Sequence, residues 1–167
     1  MNAPHREEIL QDVKKKFGFI PNVLQELSAS TSALQVYLDG QEHLAKGVLT
    51  SIEQQVVQLT VASFNDCHYC QAAHQFLGKQ AGLSFSDLKA IREGRDPSDS
   101  NAAFIRLVTQ MLLEKRGWVE DDLRKEWEAA ALSREKLYEI VAYIGLKTIT
   151  NYVNHMAHTP VDGVFKG

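Results

Sequence analysis

Residues 65–74 read Asn65-Asp66-Cys67-His68-Tyr69-Cys70-Gln71-Ala72-Ala73-His74, and this stretch is the most informative part of the chain. The Asn-Asp pair is a turn and capping signal, so we predict a new or sharply bent helix from Cys67 to Ala81, ending at Gly82. Cysteines three residues apart lie on one helix face, and His74, four residues after Cys70, lies one turn further along it. Two thiols and an imidazole are therefore predicted to converge.

This arrangement favours thiol–disulfide chemistry. The thiolate is the nucleophilic form of cysteine, and both the helix N-terminus and a neighbouring imidazole favour its formation. Cys70 is within one turn of His74, so we assign it as the nucleophile, with Cys67 resolving it into an intramolecular disulfide. The helix dipole, however, favours the first cysteine of such a pair, so spacing alone leaves the order of the two roles open.

The rest of the chain predicts an all-α fold, because apolar residues recur at spacings of three and four and strict alternation is rare. Helices are expected over about 5–16, 22–27, 32–46, 51–64, 67–81, 85–93, 101–116, 120–131 and 134–158. Residues 131–135 loosely echo residues 48–52, which suggests an internal repeat of a helical hairpin. We expect a single domain over residues 1–167, with a sub-boundary in the loop 94–99.

The composition narrows the classes of function. The chain has 167 residues, 44% of them hydrophobic, and 18 Lys+Arg against 21 Asp+Glu give a net charge of −3. A near-balanced charge argues against nucleic-acid binding. No apolar run approaches the roughly 20 residues of a membrane span, and the N-terminus lacks the apolar region of a signal peptide. We therefore expect a soluble, cytoplasmic protein without nucleic-acid or membrane partners.

Two other interpretations of the cysteines compete with thiol–disulfide chemistry: they could be small buried apolar residues of the core, or they could be zinc ligands. A filler role does not explain the cysteine pair at this spacing with a histidine four residues on. For zinc, His68, His155 or His158 could complete a set with Cys67, Cys70 and His74. A second separated ligand pair is missing, so we expect neither a metal nor another cofactor.

His155 and His158 are better explained by the C-terminal helix dipole and by solvation. We expect the remaining conspicuous aromatic residues to lie in the core or in an interface: Phe104, Trp118, Trp127 and Tyr138.

Residues 65–74, with the helix expected over 52–64, resemble the AhpD-like (alkylhydroperoxidase) branch of the carboxymuconolactone decarboxylase family. Looser similarity to its peroxidase-related subgroup extends over residues 17–22 and 150–155. The resemblance implies an all-helical fold, assembly into homotrimers or homohexamers, and thiol peroxidase or disulfide-reductase activity. It also implies that Cys67 is the resolving cysteine, Cys70 the reactive cysteine and His74 a proton acceptor.

The sequence departs from this family at the glutamate of its proton relay. The matching position, twelve residues before Cys67, is Gln55, which cannot accept a proton at ordinary pH. Glu53 is about 200° away around the helix and fits a capping box that begins at Thr50. The histidine that often precedes the second cysteine in the family is here replaced by Tyr69, with His68 one position earlier.

The leading hypothesis is a peroxiredoxin-type oxidoreductase with an antioxidant role, which reduces hydroperoxides and is regenerated by a dithiol protein or small thiol. Two alternatives remain. One is the lactone decarboxylation that gives the wider family its name, which does not need the two cysteines. The other is a redox-responsive helical scaffold without catalysis, which the absence of the relay glutamate favours.

Overall fold

The computed structural model describes residues 6–166. Within them the chain forms nine α-helices, one 3₁₀ turn and no strand, which confirms the all-helical prediction. His5, the predicted first residue of the first helix, lies outside this range. The helices are α1 (Arg6–Phe17), α2 (Asn22–Leu27), α3 (Thr31–Leu44), α4 (Ser51–Phe64), α5 (His68–Ala81), α6 (Phe85–Arg92), α7 (Ser100–Lys115), α8 (Asp121–Ala129) and α9 (Arg134–Ala157), followed by the 3₁₀ turn Gly163–Phe165.

Local capping signals explain where the central helices begin and end. At the start of α4, the Thr50 hydroxyl accepts from the Glu53 amide at 3.2 Å, and the Glu53 carboxylate accepts from the Thr50 amide at 2.7 Å. This reciprocal pair is the predicted capping box. Helix α5 ends at Gly82, whose φ of 107° is readily adopted only by glycine. The Ser133 hydroxyl caps α9 by accepting from the Lys136 amide.

Helix α4 is the central element of the fold. Its apolar residues Val56, Val57 and Leu59 are fully buried. They belong to a cluster to which α6, α7 and α9 also contribute, so residues on both sides of the 94–99 loop share one core. A second cluster joins α1, α2 and α3 to the start of α5 and includes both cysteines. The cysteine pair therefore lies inside the packed part of the molecule.

The N-termini of α4 and α9, which carry the two similar sequence stretches, are joined by an ion pair in which Glu53 is buried and Lys136 is partly exposed. The Lys136 ammonium lies 2.7 Å from the Glu53 carboxylate, which also accepts from the Asn101 amide group at 3.0 Å. Burial opposes ionisation of Glu53, but these hydrogen bonds outweigh it and hold its pKa below the ordinary value. Glu53 thus has a structural role in joining the two helices.

The aromatic residues divide between core and surface. Trp127 is buried and Phe104 packs against the first cluster, as expected. Trp118 is 85% exposed and Tyr138 is 63% exposed in the single chain, so neither lies in its core, and their place in an interface stays a prediction. Trp118 follows the C-terminus of α7, in the connection to α8. In residues 6–166 no helix is both long and apolar enough to cross a membrane.

Candidate active site

The turn between α4 and α5 places Cys67 at the helix start. Asp66 adopts a left-handed conformation with φ of 52°, which reverses the chain direction, and Cys67 is the N-cap residue of α5. The Asn65 side chain donates to the Asn151 side-chain oxygen at 2.9 Å and so ties this turn to α9. The predicted position of Cys67 near a helix N-terminus is confirmed, and α9 is the element that supports it.

The two cysteines are free thiols held in a shared polar contact. Both are buried, with 1% of Cys67 and 2% of Cys70 exposed. The Cys67 Sγ accepts from the Cys70 amide at 3.4 Å, as the oxygen of a capping serine would. From α9, the Asn154 amide group donates to Cys70 Sγ at 3.2 Å and approaches Cys67 Sγ at 3.7 Å. Asn154 therefore contacts both sulfurs.

The electrostatic environment separates the two thiols. A hydrogen bond from the Cys67 thiol lowers the pKa of Cys70 to about 5 despite burial, and the Lys147 ammonium and Asn154 contribute further. The same interaction, together with burial, raises the pKa of Cys67 well above its ordinary value. At neutral pH this geometry favours a thiolate on Cys70 and a protonated thiol on Cys67.

Lys147 is the buried cation of the site. It lies on α9 with only 3% of its surface exposed. Burial alone would lower its pKa, but Tyr37 and the two sulfurs outweigh that effect and raise the pKa above the ordinary lysine value. Lys147 consequently remains charged next to the cysteine pair.

His74 is positioned by Gln55. Its Nδ1 lies 2.9 Å from the Gln55 side-chain oxygen, so Nδ1 carries the proton in this contact and Nε2 is the acceptor nitrogen. Burial, with the Lys147 charge, lowers the pKa of His74 well below its ordinary value. The imidazole is therefore neutral at pH 7. Among the hydrogen bonds of the described residues, none joins His74 to Cys70.

Tyr69 connects α5 to the C-terminal segment. Its hydroxyl donates to the Asp162 carboxylate, and its ring packs edge-to-face on Phe165, with centroids 6.1 Å apart. Burial and the Asp162 carboxylate both raise the pKa of Tyr69, so it remains a neutral phenol. Asp162 also accepts from the Asn22 amide at the start of α2. These contacts hold the last residues of the chain against the site.

A cavity of about 540 Å³ lies beside Cys70 and falls within the size range of small-molecule sites, about 300–1000 Å³. Gln55, Tyr69, Cys70, His74 and Lys147 all line it. Much of the remaining wall is aromatic or aliphatic: Phe17, Phe19, Leu24, Leu38, Phe76, Leu77, Val164 and Phe165. A ligand in this cavity would meet an apolar wall on most sides and the Cys70 sulfur on another.

Other residues singled out from the sequence lie elsewhere. Glu53 does not line the cavity and faces α7 and α9, as the helical offset from Gln55 predicts. His68 is exposed beside Asp66. His155 stacks on Tyr152, and His158 is the C-cap of α9. Within residues 6–166, no group of three His, Cys, Asp or Glu side chains is arranged to hold a metal ion.

Sequence reasoning missed the contribution of α9. Lys147, Asn151 and Asn154 are spaced four and three residues apart and form a buried polar stripe on one face of this helix. Three buried polar residues in register on a long helix are a signal of a site, because such groups are costly to bury without a partner. The stripe meets α5 at the cysteine pair.

The chain has an AhpD-like helical fold. This class is shown by solved structures rather than by sequence, since no protein-family model and no curated protein matches the chain. At these low identities the likeness establishes the fold alone.

Two of the similar structures are peroxidase-related proteins. One, from Silicibacter sp. TM1040, has a TM-score of 0.80 at 18% identity, with 100% of this chain and 90% of that chain covered. Another, from Ralstonia eutropha JMP134, is described as an alkylhydroperoxidase AhpD core, with a TM-score of 0.81 at 16% identity and coverage of 99% and 93%. The debrominase Bmp8 is similar at a TM-score of 0.70 and 15% identity, with coverage of 98% and 89%.

Proposed function

We propose that this protein is a thiol-dependent oxidoreductase that reduces hydroperoxides by cycling Cys70 and Cys67 between dithiol and disulfide. The observation that carries the proposal is the state of Cys70. Cys70 lines a cavity of the size of a small-molecule site, and the pKa of its thiol is lowered to about 5. The largest cause of the low pKa is the Cys67 thiol, one helical turn away. A low-pKa thiol next to a resolving cysteine is the arrangement that peroxide-reactive sites use.

The first step is attack of the Cys70 thiolate on the outer oxygen of the hydroperoxide. A sulfur–oxygen bond forms, the oxygen–oxygen bond breaks, and the alkoxide leaves with the electron pair and takes up a proton to give the alcohol. Lys147 faces the same cavity, so its positive charge favours the developing alkoxide. The neutral His74, with Nδ1 bound to Gln55, offers Nε2 as acceptor for the hydroperoxide O–H.

The second step closes the disulfide. Cys67 attacks the sulfenic sulfur of Cys70 and loses its proton, the sulfur–oxygen bond breaks, and the hydroxide leaves as water after protonation. Asn154 contacts both sulfurs and is suited to holding them for this step. The sum is one hydroperoxide and two thiols converted to an alcohol, water and a disulfide.

Regeneration needs a partner outside the chain. A dithiol protein or small dithiol reduces the disulfide by thiol–disulfide exchange through a mixed disulfide. We further propose a cytoplasmic antioxidant role and a homotrimeric or homohexameric assembly. Light scattering on the purified protein measures the assembly, and a monomer at working concentration would rule it out.

The test of the activity is steady-state consumption of cumene hydroperoxide with excess dithiothreitol. Wild-type protein is expected to turn over many times, and Cys70→Ser to lose turnover. Cys67→Ser is the matched control in a single-turnover experiment on pre-reduced protein without added thiol, where it retains the first step and should release about one equivalent of alcohol and keep the sulfenic acid on Cys70. Turnover by Cys70→Ser contradicts the mechanism. A single oxidation of wild type without turnover supports the scaffold, and activity only on a lactone supports the decarboxylase.

Reductive dehalogenation is a second candidate, favoured by the aromatic walls of the cavity. A flat ring would fit between the four phenylalanines that line the cavity: Phe17, Phe19, Phe76 and Phe165. The fold is also similar to that of the debrominase Bmp8, of which a cysteine-to-alanine variant was solved in complex with 2,3,4-tribromopyrrole. That structure has a TM-score of 0.72 at 15% identity, with 98% of this chain and 89% of that chain covered. Here the cysteine pair would supply two electrons, a carbon–hydrogen bond would replace a carbon–bromine bond, and bromide would leave. Bromide release from 2,3,4-tribromopyrrole under the same reducing conditions measures this activity directly.

A further inference from the structure

The cavity beside Cys70 has a cationic, amphipathic lining. None of its described lining residues is an aspartate or glutamate, whereas Lys147 and Lys16 both contribute to it. Lys147 is 97% buried, and Lys16 is largely exposed. The apolar side chains named above form much of the remaining wall, together with neutral polar residues such as Gln41, Gln58 and Gln80. An anion with an apolar body matches this combination, because the charge and the hydrophobic surface are both complementary to it.

Lys147 has no carboxylate partner in the part of the chain that the structure describes. The ion pairs of residues 6–166 do not include it, although other buried charges such as Glu53 are paired. A buried ammonium without a counter-charge is costly. Tyr37 and both sulfurs act on Lys147, and in the dithiol protein the Cys70 thiolate is the charge among them that the cysteine chemistry can remove.

Formation of the disulfide removes that counter-charge. Once Cys70 is bonded to Cys67, neither sulfur carries a charge, and Lys147 remains buried in the same cavity. The oxidised protein then gains more from an incoming anion than the reduced protein does, because in the reduced protein the anion would be repelled by the thiolate.

We propose that the cavity binds a carboxylate with an apolar chain, and that the disulfide form of the protein binds this ligand more tightly than the dithiol form. The carboxylate lies at Lys147, and the apolar chain packs along the phenylalanines of the cavity wall: Phe17, Phe19, Phe76 and Phe165. The redox dependence rests on the proposed function, since it requires the disulfide. By linkage, such a ligand stabilises the disulfide to the same extent and makes the protein harder to reduce. A fatty-acid-like anion bound at this site therefore shifts the equilibrium between disulfide and dithiol towards the disulfide.

The test is calorimetric titration of decanoate into wild-type protein in its reduced and oxidised forms. We expect affinity at least about tenfold higher for the oxidised form, as a buried charge pair gained or lost changes binding by at least this much. Decanol, with the same chain and no charge, is expected to bind both forms equally and more weakly. Equal affinity of decanoate for both forms, or equal binding of decanol and decanoate, overturns the proposal.

Three variants locate the effect. Lys147→Met should lose at least about tenfold of the decanoate affinity and abolish the redox dependence, whereas Lys16→Met at the rim should change affinity by less than about threefold. Cys70→Ser under reducing conditions should bind like oxidised wild type, because it has no thiolate. Retained affinity in Lys147→Met, or weak binding by Cys70→Ser, contradicts the proposal.

The Cys70→Ser arm also separates this proposal from the proposed function. That variant has no disulfide and needs no turnover, so its decanoate binding is independent of peroxide chemistry. Tight binding by Cys70→Ser with no peroxide consumption by wild type would overturn the peroxidase alone. If circular dichroism shows that Lys147→Met does not fold, two comparisons still test the proposal: decanoate binding by wild type against Cys70→Ser, and binding of decanoate against decanol.

Discussion

Replacing Cys67 by alanine is expected to raise the pKa of Cys70. The Cys67 thiol is the largest cause of the low value of about 5, against an ordinary cysteine value of 9.0. A hydrogen bond to a charged group contributes roughly 1.5–3 kcal/mol, and a tenfold change in an ionisation constant corresponds to about 1.4 kcal/mol. Loss of the thiol donor should therefore move the pKa of Cys70 to between about 6 and about 7.

The assay is the rate of iodoacetamide modification at Cys70 as a function of pH, followed by mass spectrometry. Only the thiolate reacts, so the rate rises as pH passes through the pKa, with a midpoint near 5 for wild type and one to two pH units higher for Cys67→Ala. Cys67→Ser is the matched control: its hydroxyl still donates, so its midpoint should lie nearer to that of wild type. A wild-type midpoint near 8.5, or the same midpoint for wild type and Cys67→Ala, would refute the reasoning.

Two further substitutions probe the surroundings of the site. Gln55→Glu places a carboxylate against the Nδ1 proton of His74, so the pKa of His74 should rise by about one unit or more. NMR titration of the imidazole ring measures this pKa. An unchanged pKa would show that the contact is absent in solution. Lys136→Met leaves the buried Glu53 carboxylate without its cation and should cost roughly 1–3 kcal/mol in urea unfolding, whereas Lys125→Met, in an exposed ion pair, should cost less than about 1 kcal/mol.

Local sequence signals predicted most of the helical architecture. The capping box at Thr50 and Glu53, the glycine that ends α5 and the turn before Cys67 act through residues close in sequence, so their patterns can be recognised directly. Trp118 illustrates the limit of such reasoning. Its type suggests the core or an interface, and its place in a connection leaves it outside the core of the single chain, because exposure depends on which elements pack over a residue.

The site was only partly predictable for the same reason. The shared helix face of Cys70 and His74 follows from spacing within α5, and the structure brings both to one cavity. Lys147 and Asn154 come from α9, and the Asn154–Cys70 contact joins residues 84 positions apart. Nothing local to the cysteine motif specifies those partners. The spacing of polar residues along α9 was the available signal, and it identifies a polar face without indicating which helix that face meets.

A glutamine rather than a glutamate at position 55 decides where charge resides in the site. A carboxylate at position 55 would bind His74 and place a second negative charge in a cavity whose buried cation is Lys147. That charge would compete with the Cys70 thiolate for the ammonium and so raise the pKa of Cys70. With glutamine, His74 is kept neutral and oriented without added charge, and Lys147 acts on the thiolate alone. Glutamine at position 55 therefore leaves the low pKa of Cys70 undisturbed, and under the proposed function formation of the Cys70 thiolate would not depend on a general base at that position.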